Sequence, residues 1–323
     1  MSRAEELQED PRGGASLPLW LALRGLAWVA CVLPPQLVYA AATPLGAGLY
    51  LLLRWREPRA NRRRRGVLRN LRIAFQDELD DAGRRRLCWR YARHAALLAL
   101  EVLRLPLLTR RRAARRVDLR ELRPVLELAA GGRGLIVATG HFGNWEALAY
   151  VGGRLLPLTS LVRPCPEPGL QRFLMAHRQR SGQRVRGKFG GLWPLRKALQ
   201  RGETIGLNVD ENMRHGGLFV PFCGVLASTN PSAALLQRVS KAPIAVLTCP
   251  RTGPERYRVR VWDVIHPAPG PAEEERARVT ARIAAGFERA LRADPEQWLW
   301  SLRRWETRPE GEPERPDGLP QRV

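Results

Sequence analysis

One stretch decides the fold of this chain: Gly134-Leu-Ile-Val-Ala-Thr-Gly-His141-Phe-Gly-Asn-Trp-Glu146. Its first part, Leu135 to Ala138, is apolar and rich in β-branched residues, which is typical of a buried strand. The small residues Thr139-Gly140 allow a sharp turn after that strand. Asn144 is a good cap residue, so we expect a helix to begin at about Trp145. A strand is therefore predicted to end immediately before the chemically active side chains.

His141 and Glu146 are separated by four residues. Five steps of a continuous helix rotate by about 500°, which would leave the two side chains about 140° apart. We therefore expect His141 to lie in the turn and to fold back toward Glu146 in the first turns of the helix. In that arrangement the imidazole can act as a general base while the carboxylate fixes its tautomer. The same pair could also be a hydrogen-bonded structural pair or two metal ligands.

The composition limits the class of protein. A chain of 323 residues with 45% hydrophobic content can bury the core of one large domain or two smaller ones. The net charge of +23 points to an anionic partner such as a membrane surface or nucleic acid, although an arginine-rich composition accounts for part of it. An odd number of scattered cysteines argues against a disulfide framework or a zinc site and for a reducing compartment: Cys31, Cys88, Cys165, Cys223 and Cys249.

An apolar segment from Leu17 to Leu53 is broken by Pro34-Pro35 and Pro44. We interpret it as one membrane helix or a re-entrant helical pair rather than a buried hairpin. The acidic start of the chain disfavours a signal peptide. Basic residues crowd the end of this segment and predict that the body of the protein lies in the cytoplasm: Arg54, Arg56, Arg59, Arg62, Arg63, Arg64, Arg65 and Arg69. Next to an apolar segment, such a cluster fits anionic lipid better than nucleic acid.

The rest of the chain alternates between strand and helix patterns. The predicted strands after the central stretch are Leu155 to Val162, Thr204 to Val209, Leu218 to Phe222, Pro243 to Cys249 and Tyr257 to Ile265. The predicted helices are about Asp81 to Leu105, Gly169 to Ser181, Leu192 to Arg201, Pro231 to Ser240 and Glu273 to Arg292. This alternation indicates an α/β domain with a parallel or mixed sheet, in which ligands gather at the carboxyl ends of strands.

Three blocks carry a resemblance to a known family. His141-Phe-Gly-Asn-Trp-Glu146 looks like the H-x4-[D/E] motif of glycerolipid-type acyltransferases. Gly217 to Gly224 with Ala227-Ser-Thr229, and Pro295 to Pro309, resemble further blocks of the late acyltransferases of lipid A biosynthesis, of which the lauroyl/myristoyl branch is the closest match. The resemblance implies a mixed sheet flanked by helices, similar to glycerol-3-phosphate acyltransferase, with an N-terminal membrane helix.

The resemblance also implies a reaction: transfer of a fatty acyl chain from an acyl-carrier-protein thioester to a hydroxyl of a lipid A precursor. His141 is then the general base and Glu146 orients it. The thiol leaves readily, so no metal or other cofactor is expected. The sequence has no Gly-x-Ser-x-Gly elbow that would indicate a covalent acyl-enzyme. Backbone N–H groups from Gly143 to Trp145 are the expected donors to the oxyanion.

Several residues are candidates for substrate binding. Arginine matches phosphate or sugar-acid groups of an anionic glycolipid, and small polar or aromatic residues of the motifs could contact the acceptor or wall an acyl groove. The candidates are Asn144, Arg163, Arg178, Asp210, Phe219, Pro221, Arg303 and Arg304. Asp210-Glu211 departs from the Asp-Gln that is common in the family, so the role of Asp210 stays open. Another group could meet the membrane surface as interface anchors: Trp298, Trp300 and Trp305.

We therefore predict a polar N-terminus over residues 1–16, a membrane anchor over 17–53, a cytoplasm-facing acyltransferase domain over 54–305 and a disordered tail over 306–323. The expected location is the inner membrane, and the expected partners are acyl carrier protein, a lipid A precursor and an anionic membrane, with no nucleic acid. One alternative keeps the chemistry and changes the acceptor to another glycolipid, such as a phosphatidylinositol mannoside. Another alternative is a membrane-tethered basic binding module, against which the His141/Glu146 pair argues.

Overall fold

A computed structural model of the chain describes residues 17–56, 66–187, 193–313 and 319–323. In these ranges the α-helices, labelled in chain order α1 to α11, are Leu17–Val32, Pro35–Arg56, Val67–Phe75, Asp81–Arg104, Arg110–Arg116, Arg123–Ala130, Trp145–Leu155, Pro168–Arg180, Trp193–Gln200, Ser232–Ser240 and Ala272–Ala293. The strands, β1 to β11, are Val117–Asp118, Leu135–Thr139, Leu158–Val162, Arg184–Gly187, Thr204–Asn208, Leu218–Phe222, Val225–Thr229, Ile244–Thr248, Arg251–Gly253, Arg256–Arg258 and Arg260–Ile265.

A six-stranded sheet forms the centre of the molecule, with strand order β11-β8-β2-β5-β3-β4. The five strands β8, β2, β5, β3 and β4 run parallel, and β11 pairs antiparallel with β8 at one edge. A three-stranded sheet, β1-β10-β9, and a hairpin, β6-β7, complete the strands described here. The expectation of a mixed α/β fold is confirmed.

Helices cover both faces of the central sheet because its strands are apolar on both faces. Successive residues of β2 alternate between two cores: Leu135 packs in the cluster that contains α7, while Ile136 packs in the cluster that contains α10 and α11. All five residues of β8 are buried. Parallel strands have their carboxyl ends at one edge, so the turns after β2, β3, β5 and β8 all meet there.

The strand and helix predictions agree with the structure to within a few residues for most elements. The differences include one divided strand and several short elements that were not predicted, β4 among them. The predicted strand Tyr257 to Ile265 is divided into β10 and β11, which belong to different sheets. Strand β4, Arg184–Gly187, was not predicted because two of its four residues are charged and one is glycine, as an edge strand allows.

The apolar N-terminal segment forms the helix pair α1 and α2. Pro35–Trp55 is the one described helix that is long and apolar enough to cross a membrane, with a mean hydropathy of 1.4 in its most apolar window. Many large apolar side chains of the pair are exposed, among them Leu21, Leu26, Trp28, Leu37 and Leu51. The helix α2 also packs on the body of the protein, since its Tyr50 ring lies 5.8 Å from that of Trp89 on α4. In the predicted basic cluster, Arg59 and Arg62 to Arg65 lie outside the described residues.

The described part of the C-terminal tail differs from the predicted disorder. Thr307 N donates to Asn212 Oδ1 at 3.2 Å, and Arg308 binds the carbonyl of Leu226. Val323 N donates to Gly224 O at 3.0 Å. Residues 306–313 and 319–323 therefore pack against the β6-β7 hairpin and its neighbours. Backbone groups of the tail and the Arg308 side chain form hydrogen bonds there, which the polar composition of the tail did not indicate.

Candidate active site

The strand register brings His141 and Asp210 together. Strands β2 and β5 are neighbours, and their last residues, Thr139 and Asn208, are directly paired. His141 and Asp210 each lie two residues beyond those ends. The pairing continues past the strands, since Val209 N donates to Thr139 O at 3.0 Å. Two side chains that are 69 residues apart in sequence therefore share one position at the edge of the sheet.

Asp210 holds His141 through two hydrogen bonds. His141 Nδ1 lies 2.9 Å from Asp210 Oδ1, and the backbone N–H of His141 donates to Asp210 Oδ2 at 2.8 Å. Trp298 Nε1 donates to the same Oδ2 at 3.0 Å. A carboxylate can only accept hydrogen bonds, so the proton of a neutral His141 is on Nδ1 and Nε2 keeps its lone pair. This arrangement makes Nε2 the proton-accepting atom of the site, with Asn208 Nδ2 3.5 Å away.

Asp210 is ionised in this site. Its side chain is only 1% exposed, and burial alone would raise its pKa. Attraction to the protonated form of His141 and the hydrogen bonds from His141 and Trp298 outweigh burial, so the pKa of Asp210 lies below its ordinary value. A buried anion beside the imidazole favours the imidazolium that forms when Nε2 takes a proton.

Two glycines of the motif are required by close contacts. A Cβ on Gly140 would lie 2.6 Å from Asp210 Cγ, so only glycine leaves room for the carboxylate against the backbone. Gly143 has φ +58°, and a Cβ there would lie 2.1 Å from Cys249 O. The His141 turn is therefore built on backbone contacts that no larger residue allows.

Glu146 does not orient His141 as the sequence had suggested. Both of its oxygens are held by Arg178 of α8, with Nε to Oε2 at 3.1 Å and Nη2 to Oε1 at 2.6 Å. The Nδ1 atom of His141 is bound by Asp210 instead. The reason lies in the helix start: Asn144 caps α7, so Glu146 belongs to its first turn, where Arg178 reaches it from the neighbouring helix. The Glu146–Arg178 pair is buried to about nine tenths and bidentate, so it fixes both side chains.

A cavity of about 210 Å³ lies beside His141, between α7 and the central sheet. Its lining includes both Thr204 and Asn208, the two ends of β5, so it follows that strand for about 13 Å. Much of the lining is apolar: Leu122, Val125, Val137, Leu148, Val151, Leu156, Leu158, Leu161, Leu247 and Val259. The charged residues that line it, other than His141, are Glu146, Arg163, Arg178 and Glu211. The cavity therefore combines a mainly apolar lining with four charged side chains and the imidazole of His141.

The predicted substrate-binding residues divide into two groups. Arg163, at the carboxyl end of β3, and Arg178 line the cavity. Asn144 is fully buried, and its amide is used by Ala147 N at 2.8 Å and by the Glu101 carboxylate at 3.0 Å. Its role is to cap α7, so the expectation that it binds substrate is not supported by its position.

The residues predicted to wall an acyl groove or to meet phosphate lie elsewhere. Strand alternation turns Phe219 and Pro221 to the exposed face of the β6-β7 hairpin, away from the cavity lining. Arg304 is 1% exposed and binds Ser228 O and Thr229 Oγ1, while Arg303 pairs with Glu306 at 3.3 Å. Burial lowers the pKa of Arg304 to about 10. The three tryptophans expected at the membrane surface are buried in the core: Trp298, Trp300 and Trp305.

The expected oxyanion donors are also occupied. Gly143 N donates to Gln297 O at 2.8 Å, and Asn144 N donates to Cys249 O at 2.9 Å. These bonds fasten the His141 turn to the segments that follow α11 and β8. They remove two of the backbone donors that the sequence had suggested. The side-chain amide of Asn208, which was not among the predicted site residues, is a donor beside Nε2.

Two further features of the site were not predicted from the sequence. Gln183 and Ser160 line the cavity and bond to one another at 2.8 Å. Glu101 binds Asn144, the cap residue of α7. The pairing of β3 with β4 brings Ser160 and Gln183 together, and Glu101 reaches Asn144 from α4, so no local pattern indicates these contacts. Within the described ranges, no group of three or more His, Cys, Asp or Glu side chains could hold a metal ion.

The α/β fold places a hydrogen-bonded histidine–aspartate pair beside a mainly apolar cavity, an arrangement that suits an enzyme with an apolar substrate. A family model described as bacterial lipid A biosynthesis acyltransferase matches residues 15–307. The chain belongs to this family, and it is an acyltransferase of lipid A biosynthesis.

Curated relatives agree with this assignment. The chain is 26% identical over 298 residues to the lipid A biosynthesis lauroyltransferase of Escherichia coli K12, which covers 92% of this chain and 94% of that protein. It is 30% identical over 184 residues to the lipid A biosynthesis palmitoleoyltransferase of the same organism, covering 56% of this chain and 58% of that protein. A lipid A biosynthesis acyltransferase of Haemophilus influenzae is 24% identical over 195 residues, with 59% of each chain covered.

Proposed function

We propose that the chain transfers a fatty acyl group from an acyl-carrier-protein thioester to a hydroxyl of a lipid A precursor at the inner membrane. The observation that carries this proposal is the pairing of His141 with the buried Asp210 beside a mainly apolar cavity. A hydroxyl is a poor nucleophile near pH 7, so a base must take its proton during attack. The cavity suits an alkyl chain, whose burial is favourable by about 0.8 kcal/mol for each CH₂ group.

The chemical step needs only the residues in place. The acceptor oxygen attacks the thioester carbonyl carbon while its proton moves to His141 Nε2. The tetrahedral intermediate then collapses, the C–S bond breaks, and the imidazolium returns the proton to the thiolate. The products are an ester and a free carrier thiol. Asp210 keeps Nδ1 protonated and stabilises the transient imidazolium, and it donates and accepts no proton itself.

Polar groups around Nε2 can stabilise the developing oxyanion. Asn208 Nδ2, 3.5 Å from Nε2, is placed to donate to the thioester oxygen. Arg163 and Arg178 line the same cavity and match the phosphate groups of a lipid A precursor. Glu146 contributes through Arg178, since its carboxylate holds the guanidinium in one orientation. In this account the motif glutamate is a positioning residue for a cation, and the histidine depends on Asp210.

The helix pair α1-α2 supports a location at the membrane. Its exposed apolar side chains fit a bilayer, and the basic residues that follow α2 in sequence favour a cytoplasmic body. We propose that the catalytic domain faces the cytoplasm of the inner membrane, where carrier-protein thioesters are available, and that its fold is that of the glycerol-3-phosphate acyltransferase type. The donor thiol is a good leaving group, so we propose that no metal or cofactor takes part.

Donor and acceptor can be identified in one experiment. Detergent-solubilised protein is offered lauroyl- and myristoyl-carrier protein, the matching coenzyme A thioesters, and tetra-acylated lipid A precursor. We expect ester formation from a carrier-protein thioester, detected as a mass increase of the lipid. Transfer from coenzyme A alone would contradict the donor. Thioester hydrolysis without transfer to this lipid would contradict the acceptor and favour another glycolipid, such as a phosphatidylinositol mannoside.

A further inference from the structure

Glu101 of α4 is a buried junction beneath the catalytic turn. It is 3% exposed, and its two oxygens receive four hydrogen bonds. Tyr39 Oη donates to Oε1 at 2.5 Å, Arg251 donates to both oxygens at 2.5 and 2.8 Å, and Asn144 Nδ2 donates to Oε2 at 3.0 Å. The three partners belong to α2, to β9 and to the start of α7, so one carboxylate joins three separate parts of the chain.

Two of these partners hold the catalytic turn directly. Asn144 caps α7, and its own N–H is bonded to Cys249 O two residues before Arg251. Arg251 N donates to Gln297 Oε1 at 2.8 Å, and Gln297 Nε2 donates to Arg251 O at 3.1 Å. The carbonyl of Gln297 then accepts the N–H of Gly143 at 2.8 Å. The turn that carries His141 is therefore bound from both sides by groups that Glu101 connects.

The third partner, Tyr39, comes from the apolar helix pair. Its hydroxyl donates to Glu101 and also accepts the backbone N–H of Glu255. Tyr39 is the only described residue of α1 or α2 for which a bond to Glu101 is found. A purely anchoring helix would need apolar contacts alone, whereas this tyrosine places a polar group against a buried carboxylate.

We propose that Tyr39 and Glu101 are positioning residues that make the apolar helix pair part of the active-site framework. The helix pair then has two roles: it attaches the protein to the membrane, and it fixes the turn that carries His141. A buried carboxylate is stabilised only while its donors are present. Loss of the Tyr39 hydroxyl leaves Oε1 with fewer donors, which allows Glu101, and with it Asn144 and the turn, to move. A small displacement of a catalytic base lowers the rate substantially.

The test compares Tyr39→Phe with Tyr50→Phe in the full chain. Both residues lie on α2, and Tyr50 packs its ring on Trp89 outside the junction, so its variant is the matched control. We expect Tyr39→Phe to lower kcat about tenfold, equivalent to about 1.4 kcal/mol, with KM for donor and acceptor unchanged. The fraction of protein bound to membranes should be the same in wild type and both variants.

Amide hydrogen exchange supplies a measurement that needs no substrate. In Tyr39→Phe we expect faster exchange in a peptide covering residues 140–148, with Tyr50→Phe equal to wild type there. A role confined to local packing of α2 would change exchange in α2 and α4 only, and that result would overturn the proposal. Unchanged kcat in Tyr39→Phe, or an equal loss in both variants, would overturn it as well.

The kinetic part of this test rests on the proposed function, whereas the exchange part does not. If the wild type shows no His141-dependent transfer, the proposed function fails while the exchange data still decide the role of Tyr39. If the wild type is active and Tyr39→Phe matches it in both measurements, only the positioning role fails.

Discussion

Asp210→Asn should remove most of the activity while it leaves the fold intact. The side chains are nearly identical in shape, but an amide has one acceptor and one donor group. Asp210 Oδ2 accepts from His141 N and Trp298 Nε1, so the amide oxygen is best placed there. The NH₂ group then faces His141 Nδ1 and can only donate to it. His141 must move its proton to Nε2, and the base loses its lone pair.

The lost charge sets the magnitude. With Nδ1 and Oδ1 2.9 Å apart, the centres of the two charged groups are separated by about 4 Å. Two unit charges at that distance interact by about 4 kcal/mol at an effective dielectric constant of about 20. Removing this stabilisation of the imidazolium lowers kcat by about 10³-fold. KM should change by less than about threefold, since Asp210 is buried behind the histidine and touches no substrate.

The assay measures initial rates of acyl transfer to the lipid precursor by mass spectrometry, with Asp263→Asn as the control. Asp263 pairs with Arg282 at 2.7 Å on β11, in the antiparallel edge strand of the sheet, so its variant tests the general effect of losing an ion-paired aspartate. We expect the control to keep its activity and both variants to melt cooperatively. A kcat for Asp210→Asn within fivefold of wild type would refute the role assigned to this carboxylate.

Three other predictions follow from single contacts. Arg178→Lys loses the bidentate bond to Glu146, so kcat/KM should fall about 10- to 100-fold in the same transfer assay. Gly206→Val fills part of the cavity beside Leu158. When two carrier-protein thioesters of different acyl length compete, the variant should prefer the shorter acyl chain about tenfold more strongly than wild type does. Burial lowers the pKa of His177 to about 4 in the folded protein. As the pH falls below about 6.5, the unfolded chain therefore binds a proton at this histidine before the folded protein does, and the free energy of unfolding decreases. His177→Leu should reduce this decrease between about pH 6.5 and about pH 4 by on the order of 2 kcal/mol.

Each of these predictions has a contradicting result. Arg178→Lys with kinetics like those of the exposed control Arg180→Lys would show that the fork to Glu146 is dispensable. An unchanged donor preference in Gly206→Val would place the acyl chain outside this cavity. If the free energy of unfolding in urea falls by the same amount between pH 7 and pH 4.5 in wild type and in His177→Leu, His177 is protonated in the folded protein.

Much of the site could be predicted because its position depends on local sequence. The β-branched run that ends at Thr139-Gly140 fixes the strand, and the cap at Asn144 fixes the helix start, so His141 had to lie in the turn between them. The partner of His141 could not be predicted in the same way. Asp210 reaches it only because β2 and β5 are neighbours with Thr139 opposite Asn208, and that register is a tertiary property.

The residues placed wrongly share another cause. A sequence motif gives the residue types, whereas the contacts of each side chain depend on its burial in the fold. Arg303 and Arg304 are adjacent, yet one is on the surface and the other is enclosed by Ser228 and Thr229. Phe219 lies on the exposed face of β6 because side chains alternate along a strand. Aromatic and basic residues near a motif therefore needed the fold before their roles could be separated.

The most direct test of the central claim is the rate of acyl transfer from carrier-protein thioester to lipid A precursor in His141→Ala, measured beside His215→Ala. His215 lies in an exposed loop and serves as the matched histidine control. We expect His141→Ala to lose at least about 10³-fold in kcat, with an unchanged melting temperature, while His215→Ala keeps the wild-type rate. Transfer by His141→Ala at a rate near that of His215→Ala would contradict a mechanism based on this histidine.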